Sequence, residues 1–197
     1  MKPGSRPVFW LCVWGLLVAP GAARSVATPQ NIDQPRMLVH EMLGTWDVKE
    51  WMWTGPGTKP TPLPDAVADR RAVGDTFVQE TMSTSPGAAN AFSRHATFGF
   101  NPINRQFEYA SIDSRAPQLM SERSGKDRGE PDGSLDLAGG MFFTPQWGEM
   151  KNVTFRYRLV VGSIRNNSQE VDLCLTPISA SGPPEFVAFR YLYTRRR

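Results

Sequence analysis

The stretch that decides the fold is Leu43-Gly44-Thr45-Trp46-Asp47-Val48-Lys49-Glu50-Trp51-Met52-Trp53. Side chains alternate between the two faces of an extended chain, so Trp46, Val48 and Met52 share one face. Glu50 lies on that same face, and a carboxylate among apolar side chains suits a barrel strand that lines a partly polar cavity. Gly44 permits a tight turn into the strand. The spacing fits a β-sandwich strand with Trp46 as core filler equally well.

Short extended runs recur along the rest of the chain at the spacing typical of all-β proteins. They are residues 66–73, 76–82, 92–100, 105–114, 118–123, 134–144, 153–161, 170–176 and 185–193. No helical run is long enough for a βαβ crossover. Because closure removes free edges, we expect an all-β fold: one antiparallel up-and-down barrel of about 8–10 strands.

A short helix is predicted before the first strand. Asp33 can cap residues 34–42, and Pro35 then lies in the first turn, where its missing N–H matters little. Leu38 and Met42 share one face of this helix, which could plug one end of the barrel. The predicted barrel domain with its helix spans residues 33–195.

Residues 1–23 have the pattern of a secretory signal peptide. Lys2 and Arg6 precede the apolar run 8–18, which is followed by small residues that end at Ala23. Cleavage is expected after Ala23, with Ala27 as the alternative, and residues 24–32 are expected to be a flexible leader. The run is too short for a transmembrane anchor, so no integral membrane segment is expected after cleavage. We therefore expect an exported protein, periplasmic or secreted.

Charge and cysteine content narrow the function classes. The formal net charge of +3 falls to +1 once Lys2 and Arg6 are removed, and no basic face with interleaved aromatics is visible. Nucleic-acid binding is therefore not expected. Cys174 is the single cysteine after cleavage, so stability must come from packing rather than an intramolecular disulfide. An outer-membrane barrel is the alternative, but charges such as Arg70 and Arg71 on both strand faces argue against it.

The opening strand resembles the Gly-x-Trp start of the calycin superfamily, which includes lipocalins and fatty-acid-binding proteins. A longer pattern is similar to the exported bacterial family called domain of unknown function 1579. It comprises Phe77-Val78-Gln79-Glu80, Gly99-Phe100-Asn101 with Asn104-Arg105-Gln106-Phe107, and Ser111-Ile112-Asp113-Ser114. Phe100 and Ser111 stand where the family usually has Tyr and Trp. This resemblance covers most of residues 40–195 and implies a lipocalin-like barrel in a secreted or periplasmic location. It brings no established activity and therefore no catalytic residue.

The sequence contains no recognisable hydrolase, phosphate-binding, dinucleotide or zinc-protease motif. The spacing of the possible zinc ligands His40, His95 and Cys174 does not match a zinc site. His95 shares a strand face with Ser93 and Thr97, and this position favours a solvent-facing or hydrogen-bonded side chain over a haem ligand. Acidic residues in a glycine-rich loop are expected to form a hairpin turn rather than a calcium site; they are Asp127, Glu130 and Asp132. Catalytic residues stay unknown, and neither a cofactor nor a metal is predicted.

The candidate ligand-binding residues are those that would line a barrel interior: Trp46, Glu50, Arg94, Phe98, Asp113 and Tyr157. If these faces point inward, a buried Glu50 or Arg94 must be paired, and such a group can hold the polar head of an otherwise apolar ligand. Glu80 belongs to the same set of polar groups. A structural ion pair is the alternative for each of them.

Three functions stay open at this point. The first is a barrel that binds a small, mostly apolar ligand. The second is a lyase or isomerase that uses an interior carboxylate such as Glu50 or Asp113 as a general base. The third is an envelope protein with a filled barrel that acts through its surface. The sequence indicates no oligomeric state.

Overall fold

The computed structural model describes residues 33–85, 87–124, 133–178 and 182–197. These residues all belong to one compact unit. The predicted signal peptide, the predicted leader and the acidic loop residues Asp127, Glu130 and Asp132 lie outside the described residues.

The described chain begins with a helix and continues in strands. The elements are α1 (Asp33–Met42), β1 (Gly44–Met52), β2 (Thr61–Pro62), β3 (Ala66–Val73), β4 (Phe77–Thr84), β5 (Ser93–Asn101), β6 (Gln106–Asp113), β7 (Ala116–Ser124), β8 (Leu135–Trp147), β9 (Met150–Val161), β10 (Ser168–Pro177) and β11 (Phe186–Arg195). At ten residues, α1 falls far short of the length that a helix needs to cross a membrane, and it is the single helix of the described residues.

The strands close into a barrel. From β3 to β11 each strand pairs antiparallel with the next, and β1 lies between β3 and β11. The closing ladder runs from Trp46 opposite Arg195 to Met52 opposite Phe189. Within the described residues, ten strands (β1 and β3–β11) form the closed barrel, and β2 pairs with the end of β1. The predicted all-β antiparallel barrel is confirmed, and the sandwich alternative is wrong because a single sheet closes on itself through the β1–β11 ladder.

Trp46 lies at the helix-side end of the barrel. Its ring is fully buried, its indole N–H donates to the Met42 carbonyl at 3.0 Å, and it meets Tyr193 edge-to-face at 6.4 Å. Arg195 donates to the carbonyls of Glu41 and Leu43, so the last strand holds the end of the helix. Burial of a ring of this size contributes roughly 5 kcal/mol at about 25 cal/mol per Å².

The period-2 stripe of β9 faces inward, as its alternation predicts. Phe155, Tyr157, Leu159 and Val161 are all buried. Leu159 and Val161 belong to the larger core cluster on the helix side, whereas Phe155 and Tyr157 belong to a second cluster. The interior is therefore packed in two parts along the barrel axis.

The ladder between β7 and β8 is short. The two strands pair only over three residues, with Glu122 opposite Gly139 at one end and Ser124 opposite Leu137 at the other. The β8–β9 ladder shifts register between Ala138 and Met141, and beyond this point β8 pairs with β9 alone in the described chain. We call the resulting gap, between residues 116–121 of β7 and 141–147 of β8, the seam.

Tyr157 spans the seam from β9. Its hydroxyl accepts a hydrogen bond from the Ser121 backbone N–H at 3.2 Å, a donor on the β7 edge that no β8 ladder satisfies. Gly139 makes this crossing possible, because a Cβ at that position would lie 2.2 Å from the Tyr157 ring. The seam is thus held by a side chain instead of backbone pairing.

Candidate functional site

An ion-pair cluster lies in the helix-side half of the barrel. Glu80 receives hydrogen bonds from Arg70 Nε and Arg94 Nη2, each at 2.8 Å, and Arg94 Nη2 also donates to the Tyr193 hydroxyl at 2.6 Å. Burial alone would raise the pKa of Glu80, but the two guanidinium charges and their hydrogen bonds outweigh it and lower the pKa to about 2. Gln169 accepts from Arg70 at 2.7 Å. Glu80 is therefore a structural carboxylate that is saturated by its own chain.

A second ion-pair cluster closes the opposite end of the interior. Arg115 donates to both oxygens of Glu50, at 2.9 and 3.0 Å, and to Asp113 at 2.7 Å. Its guanidinium carbon lies 3.7 Å from the centre of the Phe92 ring, a cation–π contact. The Glu50 side chain is fully buried, whereas 27% of the Arg115 side chain is exposed. Both carboxylates are thus engaged by one arginine.

Within the described residues, two cavities lie in the barrel interior. The helix-side cavity has a volume of about 30 Å³ and includes Met42, Arg70, Glu80 and Phe98 in its wall. The outer cavity has a volume of about 90 Å³ and reaches the exposed residues Arg115 and Ala116. Since a single water needs about 10–15 Å³, the helix-side cavity holds no more than a few waters. The outer cavity is the larger of the two and the one with exposed residues in its wall.

Glu122 is the distinctive group of the outer cavity. Its side chain lines the cavity, the residue is 1% exposed, and neither carboxyl oxygen has a hydrogen-bond partner among the described residues. Burial raises the pKa of Glu122 to about 8, despite the opposing charge of Arg94. Buried carboxyl groups normally have partners, because an unsatisfied one carries its full desolvation cost. The site is therefore built around a polar group that its own fold leaves unsatisfied.

The rest of the outer cavity combines apolar walls with a few polar groups. The apolar part consists of Met120, Leu159, Leu173 and Phe189, and the polar part includes Tyr109, Ser111, Gln118 and Tyr191. Arg94 also reaches this cavity, and its buried Nε has no hydrogen-bond partner among the described residues. This mixture of an apolar surface with a few convergent polar groups is typical of small-molecule sites.

The six predicted site residues fall into different places. Glu50, Arg94 and Asp113 belong to the ion-pair clusters, and Arg94 and Asp113 also line the outer cavity. Phe98 lines the helix-side cavity. Trp46 seals the helix-side end, and Tyr157 holds the seam. Two of the predicted residues, Arg94 and Asp113, therefore meet in the outer cavity. The aromatic candidates Trp46 and Tyr157 instead make contacts that hold the barrel together.

His95 is exposed on the outside of β5, on the face that the alternation predicts. In the parts of the chain that the structure describes, no three His, Cys, Asp or Glu side chains are grouped as metal ligands would be. Cys174 is a buried free thiol, and burial raises its pKa to about 11.

Sequence reasoning missed the two residues that define the outer cavity, Glu122 and Arg115. Glu122 shares a predicted strand face with Met120, but the apolar Leu119 on the other face blurs the alternation, and Leu119 proves to be 72% exposed. Arg115 lies at the turn between β6 and β7 and reaches Glu50, sixty-five residues away in the chain. No local pattern encodes such a long-range pair.

A closed antiparallel barrel, sealed by a short N-terminal helix and a tryptophan and carrying polar groups inside, is a calycin-like architecture. The chain belongs to the family described as "Protein of unknown function (DUF1579)", whose sequence model matches residues 31–161. The family resemblance in the sequence is confirmed. A search of the curated proteins finds no match.

Proposed function

We propose that the protein is a binding barrel that takes a small ligand, with a polar end and a mostly apolar body, into the outer cavity. The observation that carries this proposal is Glu122, a buried carboxyl group that lines the cavity without a partner among the described residues. A ligand that supplies hydrogen bonds to it removes the cost of leaving it unsatisfied. Met120, Leu173 and Phe189 offer the apolar surface for the rest of the ligand.

The cavity volume limits the size of the ligand. About 90 Å³ is well below the roughly 300–1,000 Å³ of sites for drug-sized molecules. The ligand is therefore a molecule of a few heavy atoms, or a longer one of which only the polar end enters. The seam offers a route by which the ligand can enter the outer cavity. The stretch of β7 that has no ladder to β8 contributes three residues to the cavity wall: Ala116, Gln118 and Met120.

Methionine methyl NMR tests this proposal directly. In protein labelled with ¹³C at the methionine methyls, Met120 reports on the outer cavity, Met42 on the helix-side cavity, and the exposed Met37 and Met141 on the surface. A panel of amphiphiles with three to five heavy atoms should shift the Met120 signal alone and saturably. Equal shifts at Met37 and Met141, or none at Met120 with any panel member, would contradict the proposal. The variant Met120→Leu assigns the signal.

Glu122 also favours a second candidate, a general acid–base enzyme, because a carboxyl whose pKa is about 8 in an accessible cavity can both take and return a proton near neutral pH. Glu50 and Asp113 are each held by Arg115 and suit this role less well. The test is exchange of the α-protons of a small ketone in D₂O, where the Glu122 carboxylate would take a proton from carbon to leave an enolate, exchange it with solvent and return a deuteron to the same carbon. Acceleration that is lost in Glu122→Gln supports an enzyme, and equal rates with and without protein contradict it.

The filled-barrel alternative matches only one half of the interior. The helix-side cavity of about 30 Å³ is closely packed around the Glu80 cluster, whereas the outer cavity is hollow. The larger volume of the outer cavity supports a function in the outer half.

We also propose that the protein is exported, to the periplasm or beyond. The support is the charged, apolar and small-residue pattern of residues 1–23. Intact mass spectrometry of protein expressed from the full sequence in a bacterial host is the test. A mature chain that begins at Arg24 supports the proposal, and a full-length chain retained in the cytoplasm contradicts it.

A further inference from the structure

The charged groups of the interior do not balance. Among the described residues, the charged side chains that are buried or line the two cavities are three arginines and four carboxylates: Arg70, Arg94, Arg115, Glu50, Glu80, Asp113 and Glu122. Glu50, Glu80 and Asp113 each receive hydrogen bonds from an arginine, and Glu122 receives none. With every carboxylate ionised, the interior carries one uncompensated negative charge, and it belongs to Glu122, the carboxylate to which no arginine of the described residues donates a hydrogen bond.

We propose that the ligand of the outer cavity carries a single positive charge on an ammonium group, which donates hydrogen bonds to both oxygens of Glu122. This inference rests on the proposed function and names its ligand class. An ammonium supplies three N–H donors and brings the net charge of the interior to zero. A carboxylate ligand would place a second negative charge beside an ionised Glu122. A neutral alcohol would satisfy hydrogen bonds but leave the charge unbalanced.

The surroundings of Glu122 suit an alkylammonium rather than a bare cation. Met120 precedes Glu122 on the same inward face of β7, and Leu173 and Phe189 face it from the far strands of the cavity, so an apolar stem has surfaces to contact. Opposite Glu122 on β8 stands Gly139, which has no side chain. With a volume of about 90 Å³, the cavity fits a short stem.

Binding of an ammonium has a characteristic pH dependence, because it requires the ionised form of Glu122. The titratable and charged groups around Glu122 are Arg94 on β5, Tyr109 and Asp113 on β6, Arg115 beside β7, Tyr157 on β9 and Tyr191 on β11. Arginine stays charged, and burial raises the pKa of Tyr109 and of Tyr191, so these hydroxyls stay neutral. Since the pKa of Glu122 is about 8, affinity should rise about tenfold per pH unit up to pH 8 and level off above it.

The test compares three probes of similar size, propylammonium, propan-1-ol and propionate, by their shifts of the Met120 methyl signal from pH 6 to pH 9. We expect propylammonium to bind about tenfold or more tightly than propan-1-ol at pH 8, with the pH dependence described above. Glu122→Gln should remove this preference, and Glu149→Gln, an exposed glutamate at the β8–β9 turn, should retain it. If Glu122→Gln does not fold, the pH dependence of propylammonium binding to the unmodified protein tests the same inference.

The outcomes separate this inference from the proposed function. Binding of propan-1-ol or propionate in the outer cavity, with propylammonium no tighter than either, overturns the ammonium assignment and leaves a binding barrel. An affinity for propylammonium that is flat from pH 6 to pH 9, or is unchanged in a folded Glu122→Gln protein, also overturns it. Failure of all three probes and of the wider panel to shift Met120 overturns the proposed function itself.

Discussion

Replacement of Glu122 by glutamine should change how the stability of the protein depends on pH. In the unfolded chain a glutamate loses its proton near pH 4.5, whereas in the folded barrel Glu122 keeps it until about pH 8. Between these values the folded state binds one proton more than the unfolded state, so the free energy of unfolding falls as pH rises. Glutamine has the same shape, bears no charge and removes this dependence.

The magnitude follows from the two pKa values. Each pH unit between 4.5 and 8 costs the native protein about 1.4 kcal/mol, which amounts to roughly 5 kcal/mol over the whole interval. Near pH 4.5 the native protein and Glu122→Gln should therefore be nearly equal in stability. At pH 8 the variant should be the more stable by several kcal/mol. Above pH 8 the difference between the two free energies of unfolding should stay constant.

Urea unfolding followed by tryptophan fluorescence at half-unit steps from pH 4.5 to pH 9 measures this difference. All other titrating groups are common to the two proteins, so the difference between their free energies of unfolding isolates Glu122. Glu149→Gln serves as the control and should track the native protein. A constant difference between the native protein and Glu122→Gln across the range would refute the reasoning, because it would mean that Glu122 ionises normally in the fold.

Three further variants test the ion-pair cluster around Glu80 and the seam. Glu80→Gln should lower the free energy of unfolding by about 3–5 kcal/mol, because it leaves two buried guanidinium groups without their shared carboxylate. An unchanged midpoint in urea would contradict the stabilising role of this cluster. The same carboxylate should make the native protein lose stability as pH falls from 4.5 towards 2, a loss that should be smaller in Glu80→Gln. Tyr157→Phe should speed hydrogen exchange at the Ser121 amide by weakening the seam, and exchange as slow as in the native protein would remove its proposed role. Gly139→Ala should displace the Tyr157 ring and destabilise the fold, visible as a lower thermal midpoint. The matched control is Gly140→Ala, where the added methyl carbon would lie at an ordinary contact distance of 3.7 Å from the Tyr157 hydroxyl and should change the midpoint far less.

The fold was predictable because its signals are local and repeated. Gly44 and Trp46 mark the start of the barrel, and the stripe from Val153 to Val161 gives its inward face without tertiary information. Strand boundaries follow from the same alternation. The observed β3, Ala66–Val73, coincides with its predicted run.

The candidate site was predictable only in part, because its organisation depends on partners that are far apart in sequence. Glu50, Arg94 and Asp113 stand out as polar groups on apolar faces, but nothing near them shows that Arg115 binds both carboxylates. Glu122 matters because it has no arginine, and the absence of a partner is a property of the folded barrel rather than of any short stretch. The seam likewise arises from a register shift in β8 that its two glycines permit but do not dictate.

The most direct test of the account is a crystal structure of the protein grown at pH 8.5 with propylammonium. We predict electron density for the probe in the outer cavity, with its nitrogen within hydrogen-bond distance of both Glu122 oxygens and its stem against Met120 and Phe189. A Glu122 side chain that turns out to solvent, or a cavity filled by its own side chains in the presence of the probe, would contradict the account.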